Sequence, residues 1–208
     1  MFPKKSDKPI YANLLASVDS PFFFEELKHI SEQYWETVTL DKHYGYQIQP
    51  GSKWKSGLCD ADLKNFEHAM GFTFPEPLAN FYRAMNGLDR PSIDISGNNS
   101  EFRPEFYSFP NDLNFIKDQI NWIYEANSIA REDMLNSGIS RIFPIFAHRF
   151  MLIDIPESPI LSMWGDDIIY WADDIRKLLI RDVFWNVLNL SDDKKLRQLH
   201  YDVEFWLD

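Results

Sequence analysis

Apolar residues recur at helical spacing between Asp60 and Gly87, and this pattern predicts two consecutive amphipathic helices. The apolar positions are Leu63, Phe66 and Met70 in the first helix and Leu78, Phe81, Tyr82 and Met85 in the second. Gly71 predicts the end of the first helix, because a left-handed residue commonly follows a helix. We predict Asp60 as the N-cap of the first helix and Asn86-Gly87 as the end of the second.

Further helices are predicted where the same period returns. One starts at Ser20-Pro21, one covers about residues 111–125, one follows Asp173 or Asp174, and the last starts at Ser191. A short helix from Ser128 to about residue 138 is also predicted. The N-terminal segment, residues 1–19, has no such period, and we expect it to be a poorly ordered lead-in.

Short apolar runs separated by turn residues predict an antiparallel meander of strands. The runs cover residues 142–146, 151–155, 160–163 and 168–171. Alternation over residues 37–40 predicts another short strand, and Ile93 and Ile95 predict a further one. Because no linker or repeat interrupts residues 20–208, we predict a single α+β domain whose mostly antiparallel sheet is flanked by helices.

The order of these residues resembles the SMI1/KNR4 family, also called the SUKH superfamily. The similarity extends over most of residues 35–190, through 44–49 (YGYQIQ), 54–58 (WKSGL), 142–149 (IFPIFAHR), 159–163 (PILSM) and 166–170 (DDIIY). Cys59 departs from the family, in which a polar capping residue is usual at this place.

The resemblance implies a protein that binds other proteins and is not an enzyme. Bacterial members are mostly immunity proteins, which bind and neutralise a cognate toxin. Fungal relatives act in cell-wall regulation and signalling, so a regulatory or scaffold protein with an endogenous partner is the alternative. Trp54 would pack on the domain in such a fold.

The composition narrows the choice of partner. The chain of 208 residues has 32 acidic and 21 basic residues and a net charge of −11, which argues against unassisted binding to nucleic acid or anionic membranes. It suits a basic protein partner, such as a nuclease toxin, although an acidic surface serves solubility equally well. The single cysteine excludes an intrachain disulfide, and no signal peptide or membrane span is recognisable, so we expect a cytoplasmic protein.

No recognisable catalytic or metal-binding motif is present. The five histidines are scattered without the H-x-x-x-H spacing of a zinc site, and no serine lies in a G-x-S-x-G context. His148 is the best candidate for a base, but we interpret it as a turn residue, which leaves a hydrolase with little support. The paired aspartates at 166–167 and 173–174 suit turns and helix starts better than one ion. We predict no catalytic residue, metal or cofactor.

Acidic residues and aromatic rings accumulate between Phe150 and Ile175, where no lysine or arginine occurs. Such a segment can steer a basic partner and anchor it through the rings. The competing interpretation, which we favour slightly, is a solvated sheet edge with Tyr170 and Trp171 in the core. Tyr44, Tyr46 and the loop over residues 97–107 provide a second candidate surface. The predicted partner-binding residues are Asp154, Glu157, Trp164, Asp166, Asp167, Asp173, Asp174, Tyr44 and Tyr46.

Overall fold

The computed structural model describes residues 9–130, 138–197, 203 and 205–207, which form seven helices and eight strands. In chain order the elements are α1 (Ala12–Ala16), α2 (Phe23–Trp35), β1 (Trp54–Ser56), α3 (Asp60–Met70), α4 (Glu76–Ala84), β2 (Met85–Leu88), β3 (Ser92–Asp94), β4 (Glu101–Arg103), α5 (Leu113–Ala126), β5 (Ile142–Phe146), β6 (Arg149–Leu152), β7 (Ile160–Trp164), β8 (Asp167–Ala172), α6 (Ile175–Val183) and α7 (Leu190–Lys195). The α+β class predicted from the sequence is confirmed.

The main sheet is the predicted antiparallel meander, in the order β5-β6-β7-β8. β6 begins earlier than predicted, at Arg149, because Arg149 pairs with Ser162 and Met151 pairs with Ile160. The chain then leaves the ladder, and a turn forms in which the Ser158 amide donates to the Ile155 carbonyl at 2.8 Å. Two smaller antiparallel pairs, β1-β2 and β3-β4, complete the sheets of the described residues.

The α3–α4 hairpin packs on this sheet through a cluster of aromatic rings. Phe66 is fully buried, and its ring centroid lies 4.9 Å from Phe74, 5.1 Å from Tyr82, 4.5 Å from Phe109 and 5.9 Å from Phe143. The predicted apolar positions are buried except Met70, which is partly buried against the core. Gly71 ends α3 with φ of 82°, as predicted.

The start of the hairpin differs from the prediction. Cys59, and not Asp60, occupies the N-cap of α3, where no side chain caps the helix, and the Cys59 thiol donates to Asp62 at 3.1 Å. Asp60 lies inside the helix and forms an ion pair with Arg83. The capping prediction for Asp60 is therefore wrong by one residue, because the acidic side chains of the first turn stabilise the helix end from within it.

The end of the hairpin also differs, because α4 stops at Ala84 and the chain enters β2 directly. Met85 is fully buried, but in a strand that pairs with β1. The Asn86 side chain donates to the Phe109 carbonyl at 2.8 Å and accepts from its amide at 2.8 Å. At Gly57, just after β1, a Cβ atom would collide with the carbonyl of Arg83, which explains the glycine there.

Several predictions at the margins need correction or lie outside the described residues. The predicted lead-in contains α1, with Tyr11 and Leu14 fully buried, so the expectation of disorder is wrong for these residues. Residues 38–40 form no strand, whereas β3 confirms the prediction at Ile93. Most of the helix predicted from Ser128 falls on residues 131–137, outside the described part, as do residues 198–202 of the final helix. Trp54 is buried, as predicted.

Candidate partner-binding surfaces

The meander separates the predicted acidic residues into two groups. β6, β7 and β8 reverse direction in turn, so residues that are close in the sequence lie at opposite ends of the sheet. Asp154 and Glu157 follow β6 and share one end with Asp173 and Asp174, which follow β8. The β7–β8 turn carries Asp166 at the other end, and Asp167 begins β8 there. The five residues of β7 span roughly 16 Å, so the six carboxylates do not form one patch.

At the first end most of the carboxylates already stabilise the fold. Asp174 caps α6 by accepting from the amides of Arg176 and Lys177, as the sequence predicted for this position. Asp173 is 1% exposed and lies 2.6 Å from the ammonium of Lys177. Asp154 accepts hydrogen bonds from Arg141, which lower its pKa although partial burial acts in the opposite direction. Glu157 is exposed.

We call the other end the tryptophan end and define it by Trp122, His148, Trp164, Asp166 and Asp167. The Trp164 side chain is 57% exposed, and its ring centroid lies 5.2 Å from Trp122 and 5.7 Å from His148, nearly perpendicular to both. Asp166 and Asp167 are exposed beside it. The side-chain amide of Asn127 donates to the Gly165 carbonyl at 3.0 Å, so a hydrogen bond connects the β7–β8 turn to the end of α5.

The ring of His148 packs against Trp164, and its environment is not that of an activated base. Burial lowers its pKa to about 4, and Arg149 and Arg103 act in the same direction, so the imidazole is uncharged at neutral pH. The backbone carbonyl of His148 accepts from the Met163 amide at 2.9 Å, which joins the two turns of the sheet. Within the described residues no group of three His, Cys, Asp or Glu side chains could hold a metal ion.

A second surface, which we call the tyrosine groove, is defined by Tyr34, Tyr44, Tyr46, Asp182 and Trp185. These residues line a cavity of about 180 Å³ between the ends of α2 and α6 and the segment over residues 38–48. Tyr44 is 52% exposed and Trp185 is 51% exposed, so two rings stand at its rim. The Tyr46 hydroxyl donates to Glu101 at 2.9 Å, and the guanidinium of Arg103 lies 3.9 Å from the Tyr46 ring centroid.

Asp182 also lines this groove, with only 8% of its side chain exposed. It accepts a hydrogen bond of 2.9 Å from the Trp171 indole, and Arg149 Nε lies 3.6 Å away. Burial raises the pKa of Asp182 to about 6, against the opposing effect of Arg149. The Trp171 ring in turn has the guanidinium groups of Arg149 and Arg181 each 3.5 Å from its centroid.

Asp182 was not among the residues predicted from the sequence. It occupies a position of the apolar stripe of α6, four residues after Leu178 and seven after Ile175. A single carboxylate at a position that the helical period assigns to the core is the signal that identifies it. Tyr44 and Tyr46, in contrast, were predicted, and the structure brings both to the same groove.

The described residues form an α+β domain in which a helical hairpin precedes an antiparallel meander. The model of the SMI1 / KNR4 family (SUKH-1) matches residues 57–189, which is more than half of the chain. The chain therefore belongs to this family, as its sequence motifs predicted. No curated protein and no solved structure matches it. The longest described helix has 14 residues, and none in the described part could cross a membrane.

Proposed function

We propose that this protein is an immunity protein, which binds a cognate bacterial toxin and neutralises it without catalysis. Membership of the SMI1 / KNR4 family supports a binding role. The observation that carries the proposal is the exposure of Trp164, because an indole that is 57% exposed in a paired strand suits an anchor for a partner. Single exposed apolar residues are common, but here the neighbouring Trp122 extends the apolar surface.

The tryptophan end suggests how such a complex would form. Asp166 and Asp167 would attract a basic toxin during encounter, since exposed charges act mainly on the association rate. Trp164 would then lose its water and hold the bound toxin. In this proposal the immunity protein covers the active site or the substrate path of the toxin and needs no cofactor. It acts in the cytoplasm, where the free thiol of Cys59 stays reduced.

The decisive experiment is to establish whether a toxin gene lies next to this one and to test protection from its product. Cells that express the toxin domain should survive when the intact chain is co-expressed, and Trp164→Ala should abolish protection at the same expression level. Phe22→Ala is the matched control, because Phe22 is 68% exposed at the start of α2 and belongs to neither surface.

The regulatory alternative makes a different prediction for the same experiment. If no toxin gene lies nearby and the purified chain binds an endogenous protein with 1:1 stoichiometry, the immunity function is wrong. Survival that is unaffected by Trp164→Ala would keep the immunity function but move the binding surface away from the tryptophan end.

A further inference from the structure

We propose that the tyrosine groove binds one cationic side chain, an arginine or a lysine, of the partner protein. This inference rests on the proposed function, since it names the chemical group by which the partner is recognised. The tyrosine groove differs from the tryptophan end in position and in mechanism. The groove would bind one group by direct contact, whereas Asp166 and Asp167 would attract the partner over a long distance.

Two helix ends give the groove its charge preference. Tyr34 lies in the last turn of α2 and Asp182 in the last turn of α6, helices of 13 and nine residues. The C-terminal end of a helix carries a partial negative charge, which favours cations. Both ends therefore act in the same direction as the carboxylate of Asp182.

The aromatic walls favour the same class of ligand. Ring faces attract lysine and arginine, and the attraction grows when water is excluded. The chain already uses this interaction beside the groove, where Arg103 lies over Tyr46 and two further arginines lie over Trp171. The rings of Tyr44 and Trp185 line the same cavity and are half exposed. Arg181 already lies 5.8 Å from the Trp185 ring centroid, so Tyr44 would provide the main ring face for a cation from outside.

The size of the cavity limits the occupant to a side chain. Its volume of about 180 Å³ corresponds to roughly six water molecules. Sites for small-molecule ligands have about 300–1,000 Å³. Val38 and Leu40 also line the groove and are partly buried, so the aliphatic stem of a lysine or arginine would pack on them while its charged end approaches the carboxylate.

Arg149 forms an ion pair with Asp182 that is longer than a hydrogen bond. Arg149 Nε is 3.6 Å from Asp182 Oδ2, beyond hydrogen-bonding distance, and it is buried without a hydrogen-bond partner. Asp182 lines the groove, and its carboxylate has one hydrogen bond from Trp171 and a long ion pair with Arg149 instead of the two-pronged arginine pair that would satisfy it fully.

The test is a titration of the isotopically labelled intact chain with N-acetylarginine methylamide, followed through the indole N–H signal of Trp185 by NMR. The signal is assigned by its loss in Trp185→Phe. We expect a saturable shift with a dissociation constant on the order of 1 mM, as for a single anchored side chain. The citrulline analogue, which has nearly the same shape without the charge, should produce no saturable shift. Equal binding of both compounds, or no saturable shift with either, would show that the groove is not a cation site.

Variants separate the walls of the groove from its carboxylate. Tyr44→Ala should weaken arginine binding about tenfold without affecting the fold, since Tyr44 is 52% exposed. Asp182→Asn should weaken it by a similar factor. Phe102→Ala is the matched control, because Phe102 is 57% exposed on β4 and does not line the groove. Unchanged affinity in Tyr44→Ala would exclude an aromatic-walled site.

The outcomes also distinguish this inference from the proposed function. Arginine binding without protection from any toxin would support the groove and contradict the immunity function. Protection that depends on Trp164, together with no arginine binding, would contradict the groove alone.

Discussion

The tryptophan end and the tyrosine groove both combine half-exposed rings with carboxylates, but they place the charge differently. Asp166 and Asp167 are exposed beside Trp164 at the β7–β8 hairpin, whereas Asp182 lines the tyrosine groove with 8% of its side chain exposed. Exposed charges act through solvent over long distances and are screened by salt. A buried carboxylate acts on a group that touches it. The two proposed surfaces would therefore recognise a partner by distinct means.

The largest effect is expected on the free energy of unfolding, from a core substitution that destabilises the whole domain and with it both surfaces. Phe66→Ala should lower the free energy of unfolding by about 3–5 kcal/mol, because it empties the aromatic cluster between the α3–α4 hairpin and β5. Urea unfolding measures this loss. Phe22→Ala should change the free energy of unfolding by less than about 0.5 kcal/mol. An equally small effect at Phe66 would mean that the packing of the hairpin on the sheet contributes little to the stability of the domain.

The next effect concerns the tryptophan end alone. Trp164→Ala should raise the dissociation rate of the toxin complex about 30-fold, equivalent to about 2 kcal/mol, if the indole is a desolvated anchor. Its association rate should change little, and arginine binding in the groove should be unaffected. Surface plasmon resonance at constant salt gives both rates. A change confined to the association rate would contradict the anchor.

The contributions of Asp182 and His148 to the stability of the fold should change with pH in opposite directions. The folded state raises the pKa of Asp182 to about 6 from 3.8, so its stabilising contribution is complete below pH 3.8 and is lost as pH rises through 6. The folded state lowers the pKa of His148 to about 4 from 6.5, so its contribution is complete above pH 6.5 and is lost as pH falls through 4.

Unfolding experiments between pH 4 and pH 7 test this opposition. Relative to the unchanged chain, Asp182→Asn should gain stability as pH rises over this range, since it lacks a buried carboxyl that must ionise. His148→Gln should gain relative stability as pH falls. Parallel profiles for the two variants would show that the two groups do not differ in environment.

The smallest effect is expected from the exposed charges. Asp166→Asn with Asp167→Asn should slow association a few-fold and leave dissociation nearly unchanged. Raising the salt from 0.1 M to 1 M should produce the same loss, since the Debye length falls from ~10 Å to ~3 Å. Glu157→Gln is the matched control, because Glu157 is exposed at the opposite end of the sheet. A larger effect of Glu157 would place the partner at that end.

The regular elements of the fold were predictable from residue periods. The meander and the hairpin have strong apolar repeats, and the structure confirms both. α1 was not predictable, because a helix of five residues is too short to show a period, and the buried Tyr11 donates to the carbonyl of the distant Val187. β2 was missed because Asn86-Gly87 is typical of a helix end, while tertiary pairing with β1 determines the strand.

The candidate site was predictable only in part. Tyr44 and Tyr46 were chosen because no core pattern accounted for them and Trp164 because it lies among acidic residues; the structure places both tyrosines in one groove and leaves Trp164 exposed at a sheet end. The six acidic residues do not form one group, because the antiparallel strands of the meander place residues that are close in the sequence at opposite ends of the sheet. Asp182 was missed because a carboxylate in an apolar stripe is recognisable only once its buried partners are known.

The position of Cys59 has a practical consequence for measurements on this protein. It is the only cysteine of the chain, is exposed, and lies at the start of α3, which contributes to neither surface. A maleimide dye or a surface linker would therefore attach at one defined point and leave the tryptophan end and the tyrosine groove open. Every molecule in an immobilised sample would have the same orientation, so rates measured for the two surfaces could be compared directly without introducing a new attachment site.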